Sequence, residues 1–260
     1  MYELAALEAA LQGTTYAGNL HFSAVTGSTN SDALAAAREG APHGSVFFAD
    51  AQTAGRGRGD HHWESAVGAG LYVSVVLRLP LASARAALLP LAAGLAAVEA
   101  IREASGLGAD LRWPNDLLIG ARKTGGILVE SKLKEGMLEF AVAGIGINVH
   151  QRAFAPDLAT PATSLDLESL RPTSRQALLI ALLESLEREA AALLEPAATA
   201  ALLGRVERAS TWIHGRAVEV HGPQECVGVT AGLDENGFLL VQTADELVTV
   251  RTGGIRAKTG

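Results

Sequence analysis

Residues 51–63 have the sequence AQTAGRGRGDHHW and directly follow the apolar run SVFFA of residues 45–49, which is typical of a β-strand. Gly55, Gly57 and Gly59 leave the backbone free to approach another molecule closely. Arg56 and Arg58 carry forks of hydrogen-bond donors that suit a phosphate or a carboxylate. The pattern is neither a Walker phosphate loop nor a dinucleotide fingerprint, since no Gly-Lys-Ser or Gly-Lys-Thr and no apolar helix follows the glycines. Alone, it is equally typical of a solvated surface turn.

Four other motifs accompany this segment, in the order STN (28–30), RWPND (112–116), RKTGGILVE (122–130) and GIGINV (144–149). Taken with residues 51–63, the ordered set resembles the biotin protein ligases. Because the strand-rich C-terminal tail also matches, the resemblance covers nearly the whole chain. Several motifs in one order are far more specific than any one of them.

The resemblance implies two overlapping sets of site residues. The residues implied for biotin are Ser28, Thr29, Asn30, Gln52, Arg56, Gly57, Arg58 and Lys123. Those implied for ATP and the adenylate are Arg56, Arg58, Trp63, Asn115, Lys123, Gly126 and Asn148. Lys123 and Arg58 are the predicted catalytic residues. The glycines beside Lys123 and in GIGINV are expected to make room for the ligand.

Two of these motifs also have an ordinary structural interpretation. The triplet Ser28-Thr29-Asn30 is typical of a helix cap, and the same polar groups could also bind the ureido ring of biotin. Pro114-Asn115-Asp116 is common turn chemistry. Through the resemblance alone, Asn115 and Asp116 become candidates for nucleotide or Mg²⁺ contact, since a carbonyl oxygen and a carboxylate are ligands that suit magnesium.

The arginine-rich segment departs from the family at two basic positions, which are Gly59 and His61 here. Arg56, Arg58 and Trp63 remain. His61 and His62 are adjacent and lack a helical partner at metal-binding spacing, so no metal site is expected there. No partner for the arginines is evident, and we therefore expect this loop to be mobile without ligand.

The resemblance implies an ATP-dependent enzyme, with Mg²⁺, that activates biotin as biotinyl-5′-AMP. It would then transfer biotin to a lysine of the biotin carboxyl carrier protein of acetyl-CoA carboxylase or a similar carboxylase. We expect a monofunctional form without an N-terminal winged-helix domain, because Ser28 already belongs to the predicted site. Two alternatives stay open: a lipoate-protein ligase of the same fold, and a non-catalytic module that binds an anion.

Composition limits the partners and the compartment. The 260 residues carry a formal charge of −7, which gives no field to attract DNA or an anionic membrane. The single cysteine, Cys226, fits a reducing compartment, and we expect a buried structural thiol. No apolar run is expected to reach the ~20 residues of a membrane span. We therefore expect a cytoplasmic protein, with an exposed sheet edge that could form a homodimer.

The fold class implied is α/β, with a mixed, mainly antiparallel sheet flanked by helices as in class II aminoacyl-tRNA synthetases. Residues 1–212 would form this catalytic domain. Residues 213–260 alternate short apolar runs with turn signals and predict a small SH3-like β-barrel of four or five strands. Residues 83–104 predict one long helix, which Pro90 either kinks or begins. GIGINV is expected to end a β-hairpin.

Overall fold

The computed structural model describes residues 2–59, 61–195 and 197–258. Its larger sheet has seven strands, which are β1 Leu20–Thr26, β2 Val46–Gln52, β3 Gly70–Leu77, β4 Asp110–Arg112, β5 Asp116–Ile119, β6 Arg122–Lys134 and β7 Met137–Asn148. They lie in the order β1-β2-β3-β7-β6-β5-β4. β1 and β2 are parallel, and the other neighbouring pairs are antiparallel. The predicted mixed, mainly antiparallel sheet is confirmed.

Helices cover both faces of this sheet. They are α1 Leu4–Ala10, α2 Thr29–Arg38, α3 Ser83–Ala86, α4 Leu89–Ser105, α5 Leu165–Glu168, α6 Arg175–Ala192 and α7 Ala198–Arg208. α2 packs through Ala33 and Ala37 on Val76, Phe140 and Val142. The intervening residues of β3 and β7 belong to the main core, which also contains the packed pair α4 and α6. This alternation follows from the period of two in a β-strand.

The predicted helix of residues 83–104 is divided in two. Pro90 lies in the first turn of α4, where its missing N–H is not needed, so it begins a helix and does not kink one. By length and composition, Ser83–Ser105 could cross a membrane, contrary to the sequence-based expectation, but 67% of its apolar window is buried in the protein. Such burial is what a core helix requires. Pro196, expected between α6 and α7, lies outside the described residues.

β6 and β7 form a long hairpin that carries two of the motifs. Glu135 and Gly136 connect them, and both have positive φ angles, of 52° and 78°. Two consecutive positive φ angles are what a tight two-residue hairpin requires. GIGINV ends the hairpin as expected, but most of it lies within the second strand, because β7 continues to Asn148 and Gly144 and Gly146 pair with both β3 and β6. This motif therefore lies in the middle of the sheet.

The C-terminal region forms a second, antiparallel sheet. Its strands are β8 His214–His221, β9 Cys226–Leu233, β10 Leu239–Gln242, β11 Leu247–Val250 and β12 Gly254–Ala257, in the order β11-β10-β9-β8-β12. The prediction of four or five short strands is confirmed, whereas closure into an SH3-like barrel stays a prediction. Cys226 lies at the start of β9 and is only half-buried, where a buried structural thiol was expected, and this burial raises the pKa of the thiol.

Candidate active site

A cavity of about 920 Å³ lies against the central strands β3, β7 and β6 of the larger sheet and is bordered by loops of the second sheet. It is lined by every residue that the sequence predicted for biotin, nucleotide or metal, namely Ser28, Thr29, Asn30, Gln52, Arg56, Gly57, Arg58, Trp63, Asn115, Asp116, Lys123, Gly126 and Asn148. These residues are far apart in the chain and meet because their strands are neighbours. The separate roles predicted for them stay predictions.

One end of the cavity holds uncharged polar side chains, and we call Ser28, Thr29, Asn30, Gln52 and Ser74 the neutral end. Ser28 precedes α2, and its hydroxyl makes no capping hydrogen bond within the described part of the chain, so the helix-cap interpretation does not account for it. The backbone N–H of Thr29 donates to Gln52 Oε1 at 2.8 Å. The first three of these residues are 4% exposed each, which leaves little room for them to reorient.

Ser74 is a part of the neutral end that sequence analysis missed. Its hydroxyl donates to Asn30 Oδ1 at 2.9 Å and lies 2.8 Å from Thr29 Oγ1. Behind them, Asn30 Nδ2 donates to Glu130 Oε2 at 2.7 Å. The available signal was a single serine in the mostly apolar run of β3, since a buried polar group requires a partner.

The opposite end holds charged side chains, and we call Arg58, Arg112, Asp116 and Lys123 the charged end. Lys123 Nζ lies 2.5 Å from Asp116 Oδ1. Arg112 donates to the other oxygen of the same carboxylate from Nη2 at 2.6 Å and from Nε at 3.1 Å. Burial raises the pKa of Asp116, but attraction to Lys123 and then Arg112, with their hydrogen bonds, outweighs it, and the pKa lies below its usual value.

Hydrogen bonds within the arginine loop join its two sides. The backbone N–H of Gly57 donates to the carbonyl of His61 at 2.7 Å, and that of Trp63 donates to the carbonyl of Gly55 at 2.9 Å. Asp60 lies outside the described residues. The described residues of the loop thus have a defined backbone arrangement, and whether the loop is mobile stays a prediction.

Both arginines of the loop have partners, which corrects the expectation that none exists. Arg56 forms an ion pair with Glu130. Arg58 donates to the carbonyl of Gly253 at 2.8 Å and to Asn115 Oδ1 at 3.3 Å. Burial lowers the pKa of Arg58, with attraction to Asp116 acting against it. Local sequence patterns do not reveal these contacts, because the partners lie 57 to 195 residues away in the chain.

The glycines of the motifs make room mainly for protein side chains. A Cβ atom on Gly144 would collide with the amide of Asn30, and one on Gly146 would lie 2.7 Å from Trp63 Nε1. At Gly126 the nearest atom would be 3.6 Å away, on Lys123. Among these glycines, Gly126 therefore leaves the most space for a ligand, as expected. Gly144 and Gly146 instead leave space for Asn30 of the neutral end and for Trp63 of the arginine loop.

The segment of residues 150–163 forms another wall of the cavity and is held by two predicted site residues. The backbone N–H of Lys123 donates to the carbonyl of Pro161 at 2.8 Å, and that of Thr163 donates to the carbonyl of Lys123 at 2.9 Å. Asn148 Nδ2 donates to the carbonyl of Thr163 at 3.0 Å. The side-chain amide nitrogen of Asn148 is therefore committed to this wall.

Residues 22–148 match the Biotin/lipoate A/B protein ligase family. The biotin--[acetyl-CoA-carboxylase] ligase of Mycobacterium tuberculosis is 36% identical over 240 residues, which are 89% of this chain and 86% of that protein. This chain belongs to the biotin protein ligase family. Another relative, the bifunctional ligase/repressor BirA of Bacillus spizizenii, is 32% identical over 91% of this chain and 73% of its own length.

A solved biotin protein ligase shares the architecture. The biotin protein ligase from Aquifex aeolicus in complex with biotin and ATP is 28% identical and covers 94% of this chain and 100% of its own, with a TM-score of 0.78. The seven-stranded sheet and the five-stranded C-terminal sheet together thus form the biotin protein ligase fold.

The magnesium site predicted at Asn115 and Asp116 does not fit the contacts in this biotin protein ligase. Both carboxylate oxygens of Asp116 are engaged, one by Lys123 and the other by Arg112. The side-chain oxygen of Asn115 accepts from Arg58. Within the described ranges, no group of three or more His, Cys, Asp or Glu side chains is arranged to hold a metal ion. Asp116 instead serves as the counter-ion of two basic side chains.

The C-terminal sheet contributes to the site, although its sequence carries none of the motifs. Its loops place residues 221–223 and 252–256 on the cavity wall. Trp113 Nε1 donates to the carbonyl of Gly237 at 3.1 Å, and Trp212 lies against Arg112, whose Cζ is 5.2 Å from its ring centre. The turn before β10 therefore contacts the RWPND motif through Trp113, and Trp212, which precedes β8, packs on Arg112 of the same motif.

Proposed function

We propose that this chain uses ATP to convert biotin into biotinyl-5′-AMP and then transfers biotin to a lysine of a biotin carboxyl carrier protein. The observation that carries the proposal is the single cavity with a neutral end and a charged end, in a chain of the biotin protein ligase family. A neutral ring and a charged, reacting carboxylate are the two parts of biotin, and each finds a matching environment there.

The reaction has two steps. A biotin carboxylate oxygen attacks the α-phosphorus of ATP, the bond to the β-phosphate oxygen breaks, and pyrophosphate leaves. The amine of the carrier lysine then attacks the biotinyl carbonyl, AMP leaves, and the amine loses a proton as the amide forms. Neither step needs a covalent bond to the protein, so its contribution is position and stabilisation of charge.

The two ends of the cavity have different proposed tasks. The neutral end binds the ureido ring with its hydroxyl and amide groups. Lys123 and Arg58 stabilise the negative charge on the carboxylate and the α-phosphate as the two groups join. Trp63, Asn115, Gly126 and Asn148 border the space between them and are proposed to contact the adenylate.

Magnesium is proposed to arrive with the phosphates of ATP. Asn115 and Asp116 offer no free oxygen pair for it, so the metal would depend on phosphate oxygens and water for its ligands. Titration of the ligand-free protein with Mg²⁺ alone should therefore give no binding, whereas Mg²⁺ together with ATP should bind.

The acceptor protein and the cellular location are also proposed from membership of this family. Relatives named as ligases for acetyl-CoA carboxylase support a biotin carboxyl carrier domain as the acceptor. We also propose a cytoplasmic location and a homodimer formed through the outer half of β6, which extends beyond the end of its pairing with β5 at Gly126. We propose that residues 1–212 and 213–260 are the two domains, the second one assisting catalysis.

The proposal is tested by exchange of labelled pyrophosphate into ATP. We expect exchange that depends on biotin, and a mass increase of one biotinyl group on a carrier domain when biotin and Mg²⁺–ATP are present. The matched family also includes lipoate ligases, so exchange driven by lipoate and not by biotin would favour that alternative. No exchange with either acid would favour a non-catalytic anion-binding module.

A further inference from the structure

Glu130 joins the neutral end of the cavity to the arginine loop without facing the cavity itself. It lies on β6, outside the set of described residues that line the cavity. Its Oε2 atom accepts from Asn30 and also forms the ion pair with Arg56. One carboxylate thus holds a side chain from each of two motifs that are proposed to bind biotin.

The charge of Glu130 determines which way the hydrogen bonds of the neutral end run. A carboxylate accepts hydrogen bonds and cannot donate them, so the amide nitrogen of Asn30 must face Glu130. The amide oxygen of Asn30 must then face Ser74, whose hydroxyl donates to it at 2.9 Å. Because a hydroxyl has one hydrogen, Ser74 can only accept from Thr29, at 2.8 Å.

This direction decides what the neutral end offers to a ligand. With its hydrogen given to Ser74, Thr29 Oγ1 presents a lone pair to the cavity, which suits a ureido N–H group. If the chain ran the other way, the hydroxyl of Ser74 would occupy one lone pair of Thr29 Oγ1, and the Thr29 hydrogen would turn to Gln52 Oε1, 3.2 Å away, or into the cavity. A ureido N–H group would then meet fewer acceptor sites. A mismatch of this kind leaves buried polar groups unpaired and reduces affinity strongly.

The same network continues to the other side of the arginine loop. Gln52 Oε1 accepts from the Thr29 backbone at 2.8 Å, and Gln52 Nε2 donates to Ser65 Oγ at 2.8 Å. Ser65 in turn donates to the carbonyl of Trp63 at 3.2 Å. The network therefore starts at Arg56 and ends at Trp63, so it connects the two sides of the loop through the neutral end.

We propose that Glu130 and Ser74 are positioning residues that fix the hydrogen-bond direction of Thr29 and Asn30 and thereby the affinity for biotin. The inference rests on the proposed function and deepens it. Neither residue needs to contact the reacting atoms. Their effect should fall on biotin binding and leave the chemical step unchanged.

The test measures biotin binding to the whole chain by calorimetry, without ATP, for Glu130→Gln, Ser74→Ala and the double variant. Glutamine keeps the size of Glu130 but can donate to Asn30, which removes the fixed direction. The control is Glu139→Gln on β7, because Glu139 is also ion-paired, with Lys132, and its side chain is 32% exposed against 31% for Glu130.

We expect each single variant to weaken biotin binding about tenfold, and the control to stay within about twofold. The double variant should be little weaker than either single one, because both changes break the same chain. Steady-state assays should show a higher KM for biotin, with KM for ATP and kcat at saturating biotin unchanged. A general structural defect would change all of these and the unfolding midpoint together.

The outcomes separate this inference from the proposed function. Unchanged biotin affinity in both single variants, or fully additive losses in the double variant, would overturn the roles of Glu130 and Ser74 while the ligase activity stands. If the unaltered chain bound no biotin, the proposed function itself would fail, and this inference with it. Ser74→Ala removes only one buried oxygen, so it provides the answer even if Glu130→Gln folds poorly.

Discussion

The two ends of the cavity provide partners for their buried polar groups in different ways. The neutral end joins hydroxyls and amides in a chain of hydrogen bonds that runs from Gln52 to Asn30. The charged end instead pairs Lys123 and Arg112 with one carboxylate, that of Asp116. Buried polar groups need partners in both cases, but uncharged groups can keep theirs when a ligand arrives.

The difference implies different responses to substrate. A phosphate that approaches the charged end offers Lys123 and Arg58 a new anion, so they must exchange or share partners. A ureido ring that enters the neutral end needs only the lone pairs and hydrogens left over from the chain. Affinity for biotin should therefore depend on fixed geometry, and the rate of adenylation should depend on charge.

The largest effect is expected for Lys123→Met, which keeps most of the side-chain length and removes the charge. Biotin-dependent adenylation should fall by about a hundredfold or more, as with other lost electrostatic contacts to a transition state. Transfer from preformed biotinyl-5′-AMP should fall much less, since the phosphate is already activated. Rapid-quench measurements of the two half-reactions would check this.

Lys132→Met is the matched control for this variant, because Lys132 lies on the same strand and pairs with Glu139 away from the cavity. It should leave both half-reactions unchanged. If Lys123→Met adenylated biotin at the normal rate, Lys123 would have no part in the chemistry and the distinction between the two ends would lose its basis.

Asp116→Asn is expected to lower the free energy of unfolding, which is a smaller effect than the loss of adenylation in Lys123→Met. Arg112 is buried and would lose its counter-ion, which costs several kcal/mol in fully buried pairs. Asparagine still offers an oxygen to Arg112, so we expect the free energy of unfolding to fall by about 2 kcal/mol. Urea denaturation at pH 7 measures it, with Glu139→Gln as an exposed-pair comparison. Equal stability of Asp116→Asn and the unaltered chain would argue against a structural counter-ion.

The ion pair of Asp116 with Arg112 also predicts that the stability of the protein depends on pH. Because the pKa of Asp116 is lowered in the folded protein, its stabilising effect is fully present above the unfolded pKa of about 3.9 and is lost as pH falls through the folded value. The stability difference between the unaltered chain and Asp116→Asn should therefore shrink in urea denaturation series taken below pH ~4. A difference that stays constant down to the acid-unfolding region would show that the carboxylate charge is not its source.

The smallest effect is expected at the contact between the two sheets. Trp113→Phe removes the hydrogen bond to the carbonyl of Gly237 and keeps most of the buried ring. One such bond contributes about 1 kcal/mol to the free energy of unfolding. Thermal or urea unfolding should show this loss, with biotin affinity unchanged. A drop in biotin affinity instead would mean that the smaller sheet acts on the neutral end as well.

Sequence analysis located the cavity residues because the motifs are local and ordered, and it placed Lys123, Arg58 and Asn30 in one site through the resemblance. It missed Ser74 and Glu130, since the residue to which both hydrogen-bond, Asn30, lies 44 and 100 positions away from them in the chain. It assigned Asp116 to a metal because the pairing of Asp116 with Arg112 and Lys123 becomes visible only when β4, β5 and β6 lie side by side in the sheet. The role of Gly144 and Gly146 also depended on which side chains pack over the sheet.

The most direct test of the account is a crystal structure of this chain with biotinyl-5′-AMP. We expect the ureido ring within hydrogen-bond distance of Thr29 or Gln52, and the phosphate within about 3 Å of Lys123 Nζ and of the Arg58 guanidinium. A ureido ring at the charged end, or a phosphate out of reach of both basic side chains, would contradict the assignment of the two ends.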